Sequence, residues 1–316
     1  MIDRTDIITC ESYKSICDHT YSVTENLANI QAEVIHVNME EIPHFFEALK
    51  EFPKKKFILV STCSDFGLCL QAENPVYADM PKWARMMMMR PELNYSPVFI
   101  EPRCNVKACR ASDKYSVKCY SYTAFTFPEI PSNIVRWYTS NANLYDERVV
   151  VLPFGISAGS ADTLFEQMQK NVGKPKSEAK LLYINWQNYT VDRFELRENY
   201  KSKDFEWITI VDKAKPYKDY LEEMSQHPFV LSPQGNGIDC YRTLESIYLG
   251  CIPIVNANAA MDQLTQGIGT MLLGRYLNEI HPGMLKQMLT QIQPGIGPMA
   301  TLSFWKQSFE DARKTL

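Results

Sequence analysis

The stretch from His227 to Asn256, HPFVLSPQGNGIDCYRTLESIYLGCIPIVN, carries the clearest fold pattern in this sequence. An apolar run of strand type ends at Pro233, and Gly235 and Gly237 follow in a loop that can adopt positive φ angles at low cost. A helical segment comes next, with Gly250 as its C′ residue, before a second apolar run begins. The pattern predicts a strand at 227–232, a helix at 238–249 and a strand at 251–255. Together these form a β-loop-α-β unit.

The loop of this unit predicts a site for an anion. A glycine-flanked loop that leads into a helix presents backbone N–H groups and the positive end of the helix dipole, which suits a phosphate or diphosphate. On the helix, Arg242 and Glu245 are three residues apart and share one face, with Asp239 one turn earlier. Spacing alone leaves two interpretations open, a ligand-binding face or an ordinary surface ion-pair cluster.

The segment SPQGNGIDCYRTLESIYLGCIPIV, which starts at Ser232, resembles the donor-site segment of exostosin-like glycosyltransferases. This GT-B group has eukaryotic, bacterial and viral members, and its usual form is close to SPRGNGxDCHRTWEALYLGCIPIV. Gln234, Tyr241 and Leu244 stand where Arg, His and Trp are usual. The resemblance implies donor-binding roles for Ser232, Gln234, Gly235, Asn236, Gly237, Asp239, Arg242 and Glu245, and for Arg193 on an earlier helix.

Segments of strand and helix type alternate along most of the chain, which predicts parallel sheets covered by helices. In the first half we expect strands at 5–10, 33–37, 56–60, 120–127 and 148–152, and helices at 11–28, 41–51 and 132–141. In the second half, outside the opening unit, we expect strands at 180–185, 205–211 and 270–273. The helices expected there are 161–172, 191–200, 217–226, 283–293 and 302–315.

The resemblance implies an α/β chain of GT-B type, with two Rossmann-like domains whose parallel sheets face each other across a cleft. The segment VLPFGI, which ends at Ile156, resembles the IPIGI segment where such chains cross between domains. We therefore expect an acceptor-binding domain at 1–153 and a nucleotide-sugar-binding domain at 154–300. Residues 301–316 are expected to form a helix that crosses back to the first domain.

Composition limits the class of protein. The chain has 316 residues, enough for two domains, and its 45% apolar and 22% charged residues are typical of a folded globular protein. Its nine cysteines show no zinc-type spacing, which favours free thiols. We expect no signal peptide and no membrane span, hence a cytoplasmic protein, in the host cytoplasm if the source is a virus or phage.

Asp65 is the candidate catalytic base. It follows the third predicted strand, in the sequence STCSDFG, at the place where a doubly wound domain holds reactive groups. The segment resembles the GNSD segment of the same family. The alternative is that Asp65 only caps a loop or helix. If Asp65 is not the base, Asp79 and Glu73 are the nearest carboxylates to be considered.

A basic stretch in the first half is the candidate acceptor site. Residues 82–118 carry a net charge of +5 in a chain whose formal net charge is −4. Arg103, Lys107 and Arg110 lie in this stretch, and aromatic residues are interleaved with it. A solvated basic face is one interpretation, and a groove for a polyanion such as DNA is the other. The acceptor could be a glycan, a protein or a hydroxymethylated base in DNA.

The resemblance implies transfer from a UDP-sugar, which acts as a co-substrate, without a tightly bound cofactor, and the single candidate base predicts inversion. The loop and Arg242 would offset the charge of the diphosphate, Glu245 would bind the ribose hydroxyls, and Asp65 would deprotonate the acceptor. The chain lacks an Asp-x-Asp triplet, so we expect no metal. A dinucleotide-dependent oxidoreductase is disfavoured because no GxGxxG follows an early strand. A nucleotide-sugar-binding protein without turnover remains the alternative.

Overall fold

The computed structural model describes residues 2–62, 67–69, 97–99, 123–126, 130–142, 146–186, 191–235, 237–274 and 277–316. The strands are β1 (His19–Thr20), β2 (Val34–His36), β3 (Phe57–Ser61), β4 (Gly67–Cys69), β5 (Pro97–Phe99), β6 (Thr123–Thr126), β7 (Ile134–Thr139), β8 (Val149–Val151), β9 (Leu182–Ile184), β10 (Ile208–Ile210), β11 (Phe229–Leu231), β12 (Ile252–Asn256) and β13 (Leu272–Gly274). The helices are α1 (Ile42–Leu49), α2 (Ala161–Asn171), α3 (Val191–Lys201), α4 (Tyr217–Met224), α5 (Tyr241–Tyr248), α6 (Ala259–Leu264), α7 (Pro282–Gln291) and α8 (Leu302–Arg313).

The protein is an α/β protein built on two parallel five-stranded sheets. The first has the order β1-β2-β3-β7-β8 and the second the order β10-β9-β11-β12-β13. All neighbouring strands in both sheets are parallel. A smaller sheet, β4-β6-β5, pairs β4 with β6 in parallel and β5 with β6 antiparallel. The two large sheets confirm the predicted α/β class and are compatible with two Rossmann-like units.

The second sheet is covered on both faces. Successive side chains of a strand point to opposite faces of the sheet, and here neighbouring residues fall in two different apolar clusters. Tyr183 and Val230 belong to the main apolar cluster of the protein, while Leu182 and Phe229 belong to a separate cluster. The main cluster also contains core residues of the first sheet, such as Leu59. The apolar core is therefore continuous between the two large sheets on one side of the second sheet.

Two predictions near the N-terminus are wrong. Residues 5–10 form no strand, because Ile7 pairs only with Thr301 and Thr9 only with Ile156, as isolated bridges. The expected helix at 11–28 is replaced by short 3-10 turns and by β1. The Asp18 carboxylate accepts the backbone N–H groups of Glu33 and Val34, at 3.1 and 2.9 Å. Tertiary partners therefore decide the backbone of this segment.

The expected helix at 132–141 is also wrong, because this segment forms β7. The strand lies between β3 and β8, and Ile134 and Trp137 are buried in it. A central strand of a parallel sheet has neighbours on both edges and helices on both faces, so its apolar residues need not alternate. The alternation that distinguishes a strand from a helix is therefore absent from the sequence.

The last helix, α8, packs against the first half of the chain. The ring of Phe309 lies 4.6 Å from that of Tyr138 in β7, and the ring of Trp305 lies 6.4 Å from that of Tyr13. The Tyr138 hydroxyl donates to the carbonyl of Ser308 at 3.1 Å. With 12 residues, α8 is the longest helix in the described ranges, and none of the helices there has the length and apolar character needed to cross a membrane.

Candidate functional site

The carboxyl end of the first sheet contacts the loop that follows β11 in the second sheet. Asn141, just after β7, accepts a hydrogen bond from the backbone N–H of Asp239 at 2.8 Å. Phe154, just after β8, donates its backbone N–H to the Asp239 carboxylate at 2.9 Å. Ligands of open parallel sheets bind beyond the carboxyl ends of the strands. The loop between β11 and α5 therefore lies where two such edges meet, and this is the candidate site.

The two glycines of this loop permit close approach of side chains. Neither Gly235 nor Gly237 has the positive φ angle that the sequence pattern suggested. A Cβ on Gly235 would lie 2.8 Å from Nη2 of Arg193, and one on Gly237 would lie 2.7 Å from Nδ2 of Asn141. Real Cβ atoms essentially never approach other heavy atoms this closely. The glycines are therefore needed because the side chains of Arg193 and Asn141 lie against the loop, one from each half of the protein.

Arg193 on α3 holds the loop by its carbonyl groups. Its Nε donates to the carbonyl of Gln234 at 2.9 Å, and its Nη2 donates to that of Pro233 at 2.8 Å. The side chain is only 7% exposed. Arg193 is thus close to the predicted donor site, but its guanidinium binds the loop itself.

Backbone N–H groups of the loop already have protein acceptors. That of Gln234 donates to Oδ1 of Asn256 at 2.8 Å, and that of Gly235 donates to the carbonyl of Gly237 at 2.9 Å. The N–H of Asp239 is bonded to Asn141 as described above. The loop is therefore held in one conformation by the protein, and these three N–H groups are not available to an anion without rearrangement.

Asp239 connects the loop to the segment between the two halves. Helix α5 begins at Tyr241, later than expected, so Asp239 precedes the helix and does not share a face with Arg242 and Glu245. Its carboxylate accepts the backbone N–H groups of Phe154 and Cys240, at 2.9 and 2.7 Å. Burial raises the pKa of Asp239, and these hydrogen bonds oppose the rise. The contacts make Asp239 a structural link at the edge of the site.

The sequence accounts for the C-terminus of α5 but not for its N-terminus. At its C-terminus, Gly250 has φ 67°, its N–H donates to the carbonyl of Ile247 at 3.0 Å, and the N–H of Cys251 donates to that of Ser246 at 2.8 Å. This is a Schellman motif, and it confirms the predicted C′ position of Gly250. At the N-terminus, Cys240 provides no side-chain cap. The first turn of α5 thus begins at the carboxyl edge of the sheet, and the Asp239 carboxylate accepts the N–H of Cys240 just before it.

Glu245 is buried and accepts hydrogen bonds from two tyrosines of α4. Its Oε1 accepts from the Tyr217 hydroxyl at 3.0 Å and its Oε2 from the Tyr220 hydroxyl at 2.8 Å. The residue is 5% exposed. Burial raises the pKa of Glu245, while Arg242, Tyr220 and Tyr217 act to lower it. We call Glu245, Arg242, Tyr217 and Tyr220 the carboxylate–tyrosine cluster.

Arg242 lies beside this carboxylate in the cluster. Burial acts to lower the pKa of Arg242, but Tyr220, Cys240 and Glu245 outweigh it and raise the pKa, so the side chain stays cationic. Its Nε is buried and makes no hydrogen bond in the described part of the chain. Because Glu245 is buried and contacts α4, the interpretation of these charges as an ordinary surface ion-pair cluster is wrong.

Two further residues of the donor segment pack beside the loop. The Ser232 hydroxyl is buried and lies 3.2 Å from both the Cys240 thiol and the Thr243 hydroxyl. Tyr241, which stands where the family usually has His, is 38% exposed and stacks on Phe154 with ring centroids 5.2 Å apart. Ser232 therefore faces the start of α5, and Tyr241 faces the segment that joins the two halves.

Several predicted site residues lie outside the described residues. They are Asp65, with its alternatives Glu73 and Asp79, then Asn236, and the acceptor candidates Arg103, Lys107 and Arg110. Of the described arginines near the site, Arg197 is 5% exposed and donates to the carbonyls of Trp186 and Val211 and to Asp212. These partners give Arg197 a structural role.

Sequence reasoning missed three residues of the site. Asn141 was not considered because its segment was expected to be helical, although a polar residue directly after an apolar strand could have indicated it. Tyr217 and Tyr220 open a correctly predicted helix and share one face of it, three residues apart. A pair of hydroxyls at that spacing, at the carboxyl edge of a sheet, is a usable signal.

A large polar cavity lies elsewhere, at the amino ends of β1 and β2. It has a volume of about 950 Å³ and is lined by residues that include Asp18, His19, Glu25, Glu33 and Arg313. These charges pair with one another: Arg313 with Asp18 and Glu33, and His19 with Glu25. We place the candidate site at the carboxyl edges because the loop-holding contacts from both halves converge there and not at this cavity.

Within the described ranges, no group of three or more His, Cys, Asp or Glu side chains is arranged to hold a metal ion. The expectation that the reaction needs no metal stays a prediction from the sequence. No protein-family model matches the sequence.

Proposed function

We propose that the protein is a glycosyltransferase of GT-B architecture, which moves a sugar from a UDP-sugar to an acceptor hydroxyl with inversion of the anomeric carbon. One observation supports this most: the loop after β11 is held by Arg193 from its own half and contacted by Asn141 from the other. A donor bound at this loop and at α5 would face the carboxyl edge of the first sheet. An acceptor held by the first half could then reach it.

In the donor site, charge and hydrogen bonding would be divided between two parts. The first turn of α5 and the cationic Arg242 would offset the negative charge of the diphosphate. Glu245 would accept hydrogen bonds from the ribose hydroxyls. Arg193 and Asp239 would act on the ligand only through the loop, because their polar atoms bind its backbone. Ser232, Gln234, Gly235, Asn236 and Gly237 would supply the surface of the loop.

In the proposed reaction, the oxygen of the acceptor hydroxyl attacks the anomeric carbon from the face opposite the diphosphate. The bond from that carbon to the diphosphate oxygen breaks, and UDP leaves with the electron pair. Asp65 takes the hydroxyl proton as general base. In the sequence Asp65 follows the end of β3 by four positions, and β3 lies next to β7 in the first sheet. A single displacement needs one such base and forms no covalent enzyme intermediate.

The first experiment measures release of the nucleoside diphosphate from a panel of nucleotide sugars, with and without candidate acceptors. Arg242→Ala should cost on the order of 2–4 kcal/mol of transition-state stabilisation, since it removes a charge-stabilising donor. The control is Arg136→Ala, because Arg136 lies in β7 and donates to the carbonyl of Glu147. Asp65→Asn should bind the donor but turn over very slowly. Near wild-type turnover of Asp65→Asn would place the base elsewhere.

The same assay separates an enzyme from a binding protein. A protein that binds UDP-sugars with the affinity expected for a donor, but never releases UDP with any acceptor, is the binding protein. The substitutions at Gln234 and Tyr241 relative to the family pattern make this the second candidate. Loss of UDP affinity in Glu245→Ala, measured by calorimetry, is expected for both candidates. Unchanged affinity would place the nucleotide elsewhere.

The acceptor class requires a separate experiment with glycans and with DNA duplexes that do or do not contain hydroxymethylcytosine. For a DNA acceptor, we expect binding that falls steeply with salt and weakens when Arg103, Lys107 and Arg110 are neutralised. Transfer of sugar to the modified base must accompany this binding. Transfer to a free glycan, with binding to DNA absent or insensitive to salt, would refute a DNA acceptor and assign the basic stretch to a solvated face.

A further inference from the structure

The two tyrosines of the carboxylate–tyrosine cluster donate to different oxygens of the Glu245 carboxylate. Tyr217 donates to Oε1 and Tyr220 to Oε2, at 3.0 and 2.8 Å. An ionised carboxylate has about four acceptor sites, so each oxygen retains one. The hydroxyls therefore orient the carboxylate without using its whole capacity.

The direction of these hydrogen bonds is set by the ionisation of the groups. Burial raises the pKa of Tyr217 above its ordinary value, and the nearby Glu245 raises it further. The pKa of Tyr220 is raised by the same two causes. Both tyrosines therefore remain neutral donors throughout the neutral range, and Glu245 is the acceptor.

The position of the cluster connects it to the candidate site. Tyr217 and Tyr220 lie in the first turn of α4, and Arg242 and Glu245 lie in the first five residues of α5. Helices that follow parallel strands begin at the carboxyl edge of the sheet, so both pairs lie at the edge that holds the loop. Tyr217, Tyr220 and Arg242 are partly exposed, so the cluster reaches the surface of the protein although Glu245 itself is buried.

We infer that Tyr217 and Tyr220 are positioning residues for nucleotide recognition: they hold Glu245 as an oriented anion whose two remaining acceptor sites bind the 2′- and 3′-hydroxyls of a ribose. This inference rests on the proposed function, because it assigns the cluster to the nucleoside of the donor. It adds that the difference in affinity between ribose and deoxyribose nucleotides depends on α4. This helix does not belong to the donor segment of the sequence.

The titratable groups that face Glu245 in the described structure are few. They are Arg242 on its own helix and Tyr217 and Tyr220 on α4, with Tyr183 of β9 next to Tyr220. If the tyrosine hydroxyls are removed, the buried carboxylate loses two donors that favour its charged form, and its pKa rises further. A protonated Glu245 is a weaker acceptor for ribose, since hydrogen bonds to charged groups are the stronger ones.

The test uses the whole chain of 316 residues and calorimetry. UDP, GDP, ADP and CDP are titrated first, and the nucleotide that binds is then compared with its 2′-deoxy form. We expect the wild-type protein to prefer the ribose form by about tenfold or more, the usual worth of a hydrogen bond to a charged group. In Tyr217→Phe/Tyr220→Phe this preference should shrink at least about threefold near pH 6.5 and partly recover at higher pH.

The control variant is Tyr183→Phe. The Tyr183 hydroxyl donates to Glu223 at 2.8 Å and belongs to the same aromatic group, since its ring lies 6.2 Å from that of Tyr220. A merely structural role for the tyrosines predicts similar losses of stability in all variants, with an unchanged ribose preference. If the double variant does not fold by circular dichroism, the two single variants are compared in its place.

The outcomes are separable. A preference that stays at the wild-type value in the folded variants at all pH values overturns the inference, as does an equal loss in Tyr183→Phe. A nucleotide that binds without any ribose preference in the wild-type protein also overturns it, while the proposed function stands. Absence of affinity for every nucleotide would overturn the inference and the proposed function together.

Discussion

Gly237→Ala tests whether the loop after β11 depends on contact with the first half of the chain. A Cβ on Gly237 would lie 2.7 Å from Nδ2 of Asn141 and 3.1 Å from its Cγ and Oδ1. Since ordinary contact begins near 3.4 Å, one of the two groups must move by about 0.7 Å. Asn141 is 1% exposed and its Oδ1 accepts the N–H of Asp239, so its amide group has little freedom to move.

The expected cost follows from the two ways in which the clash can be relieved. If Asn141 stays in place, the overpacked site costs about 1–3 kcal/mol. If Asn141 moves away, the buried N–H of Asp239 loses its acceptor, which also costs about 1–3 kcal/mol. The protein takes the less costly route, so we expect Gly237→Ala to lower the free energy of unfolding by about 2 kcal/mol.

A double-mutant cycle isolates this contact. Asn141→Gly removes the obstructing side chain and tolerates φ 60°, so Gly237→Ala should cost less than about 0.5 kcal/mol in that background. The coupling energy is then about 1.5 kcal/mol, well above the roughly 0.5 kcal/mol expected of independent sites. Urea unfolding followed by tryptophan fluorescence and by circular dichroism provides the free energies, and coincident transitions justify a two-state treatment.

Gly159→Ala is the control for this cycle, because a Cβ there meets nothing within 4 Å and the residue has no positive φ. Its effect should stay within about 0.5 kcal/mol. Additive effects of Gly237→Ala and Asn141→Gly, within that same margin, would refute the reasoning that Gly237 is required by the approach of Asn141.

Three further predictions concern stability. The pKa of His36, lowered by burial to about 4 from 6.5, means that the folded state resists its protonation. Stability from this residue is present above pH 6.5 and is lost towards pH 4, by roughly 3 kcal/mol at about 1.36 kcal/mol per pH unit. Urea unfolding of His36→Gln should show a weaker pH dependence of the free energy of unfolding than the wild-type protein, and an unchanged dependence would contradict this. Gly250→Ala should lower the free energy of unfolding by about 1–2 kcal/mol. The strain of φ 67° is the sole cause, since a Cβ there meets nothing within 4 Å, and a cost near zero in the same assay would contradict this. Phe309→Ala on α8 should lower the free energy of unfolding by about 3–5 kcal/mol. Phe304 is 37% exposed, so Phe304→Ala should cost less than about 1 kcal/mol. Equal costs of the two substitutions would refute the packing of α8 on the first sheet.

The second half of the chain was predicted well because its patterns are local. The strand, loop, helix and strand around Gly250 follow from apolar runs and from punctuation by Pro and Gly. The first half was predicted less well. β7 was mistaken for a helix because a strand buried on both faces lacks alternation. The segment around Ile7 and Thr9 was mistaken for a strand because its apolar residues have strand character. Whether they form a strand depends on distant partners, and Thr301 and Ile156 provide only isolated bridges.

Sequence by itself determined the α/β class, the place of the loop after β11 and the charged residues that start α5, because each depends on residues within a few positions of one another. Only the tertiary structure decided what those residues contact. Gly235 and Gly237 could be recognised as loop glycines, but the need for them comes from Arg193 and Asn141, which lie 42 and 96 positions away in the chain. The partners of Glu245 on α4 likewise cannot be deduced from helical spacing, since spacing places a side chain on a face and packing alone selects what covers that face.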